Sequence, residues 1–153
     1  MSAPELVDSV HIAASPERVW ALVSDVRRMP DWSPQVDSTR LRDGLDRVGP
    51  GVRFTNRNSD GELVWTTHAE VVRFEPESEI AFRIEENWVT WSFTVTPEHS
   101  GVRLVQRREA PEGISDLSLE LTEAFMGGVE AFTASMRSGM RLTLERIKAE
   151  AEL

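Results

Sequence analysis

Cysteine and tyrosine are both absent from the 153-residue chain. The absence of cysteine excludes disulfide bonds and any chemistry that needs a thiolate. No stretch approaches the ~18 consecutive apolar residues of a transmembrane helix. Residues 1–8 carry acids and lack the basic segment that opens a secretory signal. We therefore expect a cytoplasmic protein with no segment inserted in a membrane.

Basic residues are also scarce relative to acids, with 17 Lys and Arg against 26 Asp and Glu and a formal net charge of -9. A field of this sign repels phosphate backbones, so we expect no nucleic-acid partner. The hydrophobic fraction of 40% and the charged fraction of 28% are typical of a globular protein. The length favours one domain over residues 1–153.

The order of the predicted elements is the most informative pattern. An alternating strand over residues 6–13 precedes a short helix, which Ser15 caps and Pro16 opens. A helical turn over residues 26–29 leads into residues 29–34, where two prolines predict a break and place Trp32 in a loop. Further strands are predicted over residues 36–42, 52–57, 63–74, 79–84, 91–95 and 102–109, with a tight hairpin turn at residues 58–61.

Helical periodicity begins near residue 115 and continues to residue 152. A straight helix over residues 116–152 would run roughly 55 Å, whereas a chain of this size has a radius of gyration near ~15 Å. We therefore expect a break at Gly127–Gly128. Beyond it, apolar residues recur at steps of three and four: Val129, Phe132, Met136, Met140, Leu144 and Ile147. The opposite face carries Glu130, Arg137, Arg141, Glu145 and Lys148.

These elements predict an α+β fold in which a curved antiparallel sheet of about seven strands wraps around a long C-terminal helix. Two short helices follow the first strand. The inner face of the sheet must be buried, and the C-terminal helix is the one large apolar element left to cover it. A curved sheet that grips one helix tends to leave a hollow, where a ligand would bind.

The sequences ASPERVW at residues 14–20 and DWSP at residues 31–34 resemble those of the START-like, helix-grip (SRPBCC) superfamily. Within it, the chain is similar to the polyketide cyclase/dehydratase and lipid-transport branch, which GVRF, NRN and WTT at residues 51–54, 56–58 and 65–67 also fit. The resemblance implies binding or transport of a lipid-like or aromatic polyketide-like molecule between sheet and helix. The alternative it implies is a cyclase/dehydratase acting in the same cavity. Cavity tyrosines and arginines steer the reaction in such cyclases, and the lack of tyrosine counts against that alternative.

Strand alternation identifies the candidate cavity lining on the sheet. If Trp65 and Thr67 point inward, the neighbouring strands add Asn56, Trp91, Phe93, Gln106 and Arg108. Polar groups on an otherwise apolar face are the informative exceptions. A buried guanidinium needs an anion, so Arg108 could hold a ligand carboxylate, enolate or phenolate. The alternative is that Arg108 reaches solvent or pairs with a helix acid such as Glu120 or Glu123.

The remaining candidates each have a plain packing alternative. Trp32 would border the cavity mouth, either as a lid or wall or as ordinary packing. Trp65 and Trp91 would either fill the core or stack on a flat ligand. On the helix, the side chains that face the sheet would form either an adaptable ligand wall or ordinary core, and they are Phe125, Phe132 and Met136.

No motif predicts a metal or another cofactor. His11 and His68 alternate outward and His99 lies in a turn, without the spacing of a metal site. Nucleophile elbows and glycine-rich phosphate loops are absent from the sequence. The leading hypothesis is a binder or carrier of a hydrophobic small molecule, followed by an enzyme and then by an interaction module. The pattern leaves catalytic activity and homodimerisation open.

Overall fold

The structure, a computed structural model, describes residues 3–111 and 129–153. In this part of the chain, seven strands form one antiparallel sheet in the order β1-β7-β6-β5-β4-β3-β2. The strands are β1 (Ala3–Ile12), β2 (Val36–Leu41), β3 (Arg53–Asp60), β4 (Leu63–Glu75), β5 (Glu79–Ile84), β6 (Thr90–Glu98) and β7 (Gly101–Ala110). The α-helices described are α1 (Pro16–Val23), α2 (Met29–Trp32) and the C-terminal α3 (Val129–Ala151), and a 3-10 helix (Val26–Arg28) lies between α1 and α2, at the predicted helical turn. This architecture confirms the predicted fold class.

The SPER sequence at residues 15–18 connects the start of α1 to the C-terminal end of α3. The Ser15 hydroxyl accepts a hydrogen bond from the Arg18 backbone N–H at 3.2 Å and so caps α1. The Arg18 guanidinium reaches the C-terminal turn of α3, donating to the carbonyl oxygens of Ala151 at 3.2 Å and Glu150 at 3.0 Å. A cation at this position satisfies carbonyl groups that have no partner within the helix. The motif therefore fixes the end of the helix on which the core is built.

The C-terminal half of α3 packs against the sheet and supplies its core. Met140, Leu144, Ile147 and Ala151 are buried on one side of the helix. Complete burial of a side chain such as Leu144 contributes about 1.5–3 kcal/mol. Towards the N-terminal end, Phe132 and Met136 are only half-buried. The helix is thus closely packed at one end and separated from the sheet at the other.

Two charged side chains of α3 lie on a different face of the helix from the one predicted. Arg141 and Lys148 were expected opposite the apolar stripe, but both are half-buried against the edge strand β1. The Arg141 guanidinium donates to the Asp8 carboxylate, with Nε and Oδ2 3.0 Å apart, and to the Ser9 carbonyl oxygen at 2.9 Å. Lys148 Nζ donates to the His11 carbonyl oxygen at 2.9 Å. Long basic side chains cover apolar surface with their methylene groups, so a position beside the stripe suits them.

Two short segments also differ from the prediction. Residues 29–32 form α2 instead of a loop, because Pro30 lies in the first turn, where a missing N–H has no consequence. Strand β3 extends to Asp60, so Gly61 and Glu62 form the hairpin turn and residues 58–60 belong to the strand. Gly61 has a φ of 63°, a conformation that glycine adopts readily. The predicted break at Gly127–Gly128 lies outside the described residues.

Across residues 3–111 and 129–153, no helix combines the length and apolarity needed to cross a membrane.

Gly101 gives a direct test of the β1–β7 register. A Cβ atom at this position would lie 2.0 Å from the carbonyl oxygen of Ile12 on the neighbouring strand. Gly101→Ala therefore forces the backbone apart and should lower the free energy of unfolding by about 2–3 kcal/mol in urea denaturation. Gly49→Ala is the matched control, because no atom lies within 4 Å of its added Cβ. Equal stability of the two variants would contradict the register.

Candidate functional site

A cavity of about 540 Å³ lies between the inner face of the sheet, α2 and the N-terminal half of α3. It exists because α3 packs closely only from Met140 onward. Strands β3 to β7 each contribute side chains to its wall. Small-molecule sites in proteins typically enclose about 300–1,000 Å³, so the volume suits a ligand of moderate size.

The structure brings ten of the eleven predicted site residues together around this cavity. They are Trp32, Asn56, Trp65, Thr67, Trp91, Phe93, Gln106, Arg108, Phe132 and Met136. The eleventh, Phe125, lies outside the described residues.

Trp32 lies at the end of α2 and is 3% exposed. Its carbonyl oxygen accepts a hydrogen bond from the Thr143 hydroxyl at 3.3 Å, which ties α2 to α3. The Arg28 guanidinium lies over the Trp32 ring, 4.9 Å from its centroid. These contacts on both sides make Trp32 a packed part of the wall.

Asparagine side chains line the β3 side of the cavity. Asn56 is 4% exposed, and its Oδ1 accepts a hydrogen bond from the Thr39 hydroxyl at 2.7 Å. Asn58, also buried, donates from Nδ2 to the Thr67 hydroxyl oxygen at 3.1 Å. Asn58 is not among the predicted site residues, because the sequence predicts a turn over residues 58–61, whereas the structure places Asn58 in β3. Its spacing of two residues from Asn56 was the signal, since alternate residues of a strand share a face.

Arg108 on β7 is the most unusual group in the wall. It is 8% exposed, and its Cζ lies 5.9 Å from the ring centroids of both Trp91 and Phe132. Within residues 3–111 and 129–153 it makes no hydrogen bond or salt bridge. Burial alone lowers the pKa of its guanidinium below the ordinary value. The predicted alternative partners, Glu120 and Glu123, lie outside the described residues.

Asp8 is the acid on the strand next to Arg108, but it is already paired. It stands opposite Gln106 in the β1–β7 register, two residues along β1 from Leu6, which stands opposite Arg108. Its carboxylate accepts two hydrogen bonds from Arg141, and one oxygen also accepts the Ser9 N–H at 2.8 Å. Asp8 on β1 therefore pairs with Arg141 of α3, and Arg108 has no acidic partner on the neighbouring strand.

Gln106 lies two residues before Arg108 on the same face of β7. It is 7% exposed, and no group in the described part of the chain donates a hydrogen bond to its buried Oε1. Buried polar atoms in folded proteins are nearly always paired. Gln106 and Arg108 thus form a polar pair among aromatic neighbours.

The outer end of the cavity is marked by exposed lining residues. These lie on the loop after α2, at the tip of the β3–β4 hairpin and on α3, and they are Pro34, Asp60, Gly61, Ser135 and Ser138. Arg108 and Gln106 are buried, so they lie deeper than this exposed edge.

A separate group on the surface combines His68, Glu85 and Glu86, whose potential ligand atoms lie within 4.8 Å of one another. Glu86 accepts the His68 backbone N–H at 2.7 Å, and its other oxygen lies 2.6 Å from His68 Nδ1. Glu85 lies 3.9 Å from the Arg42 guanidinium. These contacts account for the group as surface hydrogen bonds and ion pairs.

Comparison with known proteins gives the family. Residues 3–152 match the family described as polyketide cyclase / dehydrase and lipid transport. The chain therefore belongs to this family. The comparison with curated proteins found no match.

Solved structures share the fold. The di-domain aromatase/cyclase StfQ from the steffimycin biosynthetic pathway has a TM-score of 0.74 at 17% identity, over 97% of this chain and 50% of its own. This chain thus spans half the length of StfQ. The Zhui aromatase/cyclase from Streptomyces sp. R1128 has a TM-score of 0.72 at 17% identity, covering 97% and 93% of the two chains. Cgl2372 from Corynebacterium glutamicum, a polyketide-cyclase-like protein, has a TM-score of 0.60 at 28% identity, covering 94% and 88%.

The isolation of Arg108 has a consequence for stability. Arg108→Met removes a desolvated charge and keeps most of the side-chain volume. We expect the free energy of unfolding to stay unchanged or to rise by about 1–3 kcal/mol, measured by urea denaturation. Arg107→Met is the matched control on the other face of β7, where the arginine pairs with Glu5 at 2.9 Å. A clear loss of stability for Arg108→Met would show that Arg108 has a structural partner.

Proposed function

We propose that this protein binds or carries an apolar small molecule, aromatic or lipid-like, in the cavity between the sheet and α3. The observation that carries the proposal is the cavity of about 540 Å³ itself. An interior packed at the usual density of folded proteins contains few voids larger than a water molecule, so a space of this size is unusual. Family membership supports the proposal, because the family description includes lipid transport as well as polyketide chemistry.

The chemistry of the wall favours a ligand that is mainly apolar. Rings from Trp32, Trp91, Phe82, Phe93 and Phe132 surround the space. Flat aromatic side chains provide large contact areas for apolar or aromatic ligands. The few buried polar groups, from Asn56, Asn58, Gln106 and Arg108, would orient the ligand.

Tryptophan fluorescence can test binding directly. Trp32, Trp65 and Trp91 line the cavity, whereas Trp20 packs on Phe74 and Trp88 is 40% exposed at a turn. Titration with flat aromatics, polyketides and fatty acids should change the emission saturably. At a ligand concentration of 100 times Kd, binding should stabilise the fold by about 2.7 kcal/mol. A panel that changes neither the emission nor the thermal midpoint would contradict the proposal.

A cavity-filling variant locates the binding site. Met136→Trp places an indole into the cavity from α3 and should weaken binding at least about tenfold, because the ligand must compete with the added ring. Ala134→Trp is the control, since Ala134 lies exposed on the same helix and outside the cavity wall. Equal affinities of the two variants would place the ligand elsewhere.

A polyketide cyclase/dehydratase acting in the same cavity is the second candidate function. The family description and the two aromatase/cyclase structures favour it. A dehydration needs a group that moves a proton from carbon and a donor that assists departure of water. The chain has no tyrosine for this purpose, which leaves Asn56, Gln106, Arg108 and bound water to orient the reacting groups.

Turnover assays separate this candidate from simple binding. Wild-type protein would convert a linear poly-β-ketone faster than the spontaneous reaction, and Arg108→Ala would lower turnover by about 10²–10⁴-fold. Arg107→Ala, on the outer face of the same strand, would leave turnover unchanged. If the wild type binds such a compound without accelerating its reaction, or if Arg108→Ala is fully active, this enzymatic assignment is wrong.

A further inference from the structure

We infer that the natural ligand carries an anionic oxygen group, a carboxylate, enolate or phenolate, which pairs with Arg108 inside the cavity. The inference rests on the proposed function and adds to it the charge of the ligand and the side chain that recognises it. Two observations carry it: a buried guanidinium without a partner in the described part of the chain, and the aromatic rings that hold it in place.

The buried positive charge of Arg108 needs a compensating anion. A guanidinium stays charged at any physiological pH, so burial cannot be relieved by losing the proton. Buried charges in proteins are paired or bound to a ligand, because desolvation without compensation is strongly unfavourable. Asp8, the acid on the adjacent strand, is held by Arg141 and does not serve this purpose. The anion that compensates Arg108 would then come from the ligand.

Two aromatic rings lie beside the Arg108 guanidinium. Trp91 on β6 and Phe132 on α3 both lie with ring centroids 5.9 Å from Cζ. The face of an aromatic ring attracts a guanidinium. The N–H groups of the guanidinium point outward in the plane of the guanidinium itself. The rings can therefore fix the side chain without using its hydrogen-bond donors. A planar oxygen anion is the partner that fits such a row of donors.

Gln106 adds a second polar contact for the same ligand. It lies two residues along β7 on the same face, about 6.6 Å away along the strand. Its buried Oε1 accepts no hydrogen bond from the described residues, so it is available to a ligand hydroxyl. The combination favours an apolar body with an oxygen anion and a nearby hydroxyl group.

Matched pairs of ligands that differ only in charge test the inference. We would measure the Kd of 2-naphthoate against 2-naphthylmethanol, and of dodecanoate against dodecanol, with the wild-type chain by fluorescence titration and calorimetry. The wild type should bind each anion about 10–100-fold more tightly than its neutral partner. Arg108→Met should remove this preference and leave the Kd of the neutral partner within about threefold.

Two further variants make the result specific. Arg108→Lys keeps the charge without the planar set of donors, so it should retain part of the preference. Arg107→Met, on the outer face of β7, should bind like the wild type. Circular dichroism of each variant checks that it is folded.

The outcomes distinguish the two proposals. If the wild type binds anion and neutral partner equally, or if Arg108→Met weakens both to the same extent, the inference is wrong while cavity binding stands. If the wild type binds neither member of either pair, nor any compound of the wider panel, cavity binding fails and the inference fails with it.

Discussion

The packing of α3 against one end of the sheet is the constraint on which the rest of the molecule depends. Met140, Leu144 and Ile147 bury that end of the helix, and Arg18 binds its final carbonyl groups. Because the helix is held there, its N-terminal half can stand apart from the sheet without loss of the core. The C-terminal half of α3 thus stabilises the fold, and its N-terminal half lines the cavity.

The basic side chains at the packed end of α3 have partners in the protein, whereas the buried arginine of the cavity has none in the part of the chain that the structure describes. Arg141 and Lys148, near the packed end, bind groups of β1 and hold the helix on the sheet. Arg108, buried in the cavity wall, makes no hydrogen bond or salt bridge with the described residues and lies beside the rings of Trp91 and Phe132. A buried arginine without an ionic partner among the described residues, in a wall otherwise suited to apolar ligands, is what a recognition role would require.

Much of the fold could be predicted from the sequence because the strands alternate cleanly. The pattern Leu104, Gln106 and Arg108 on one face of β7 matches the observed burial of every second residue. Local exceptions were harder to predict. Pro30 can either break a helix or begin one, and only the packing of Trp32 under α3 decides for α2. Likewise, periodicity cannot show that Arg141 bends towards Asp8, because that contact depends on where β1 lies in the sheet.

The central claim is that the space between sheet and helix accommodates a small molecule. Intermolecular nuclear Overhauser effects from a bound aromatic carboxylate to protein side chains measure this most directly. A ligand in the cavity should give effects from its ring to Trp91, Phe93 and Met136, with none to Trp20 or Trp88. Effects confined to side chains on the outer face of the sheet, such as Val7 and Val72, would contradict it.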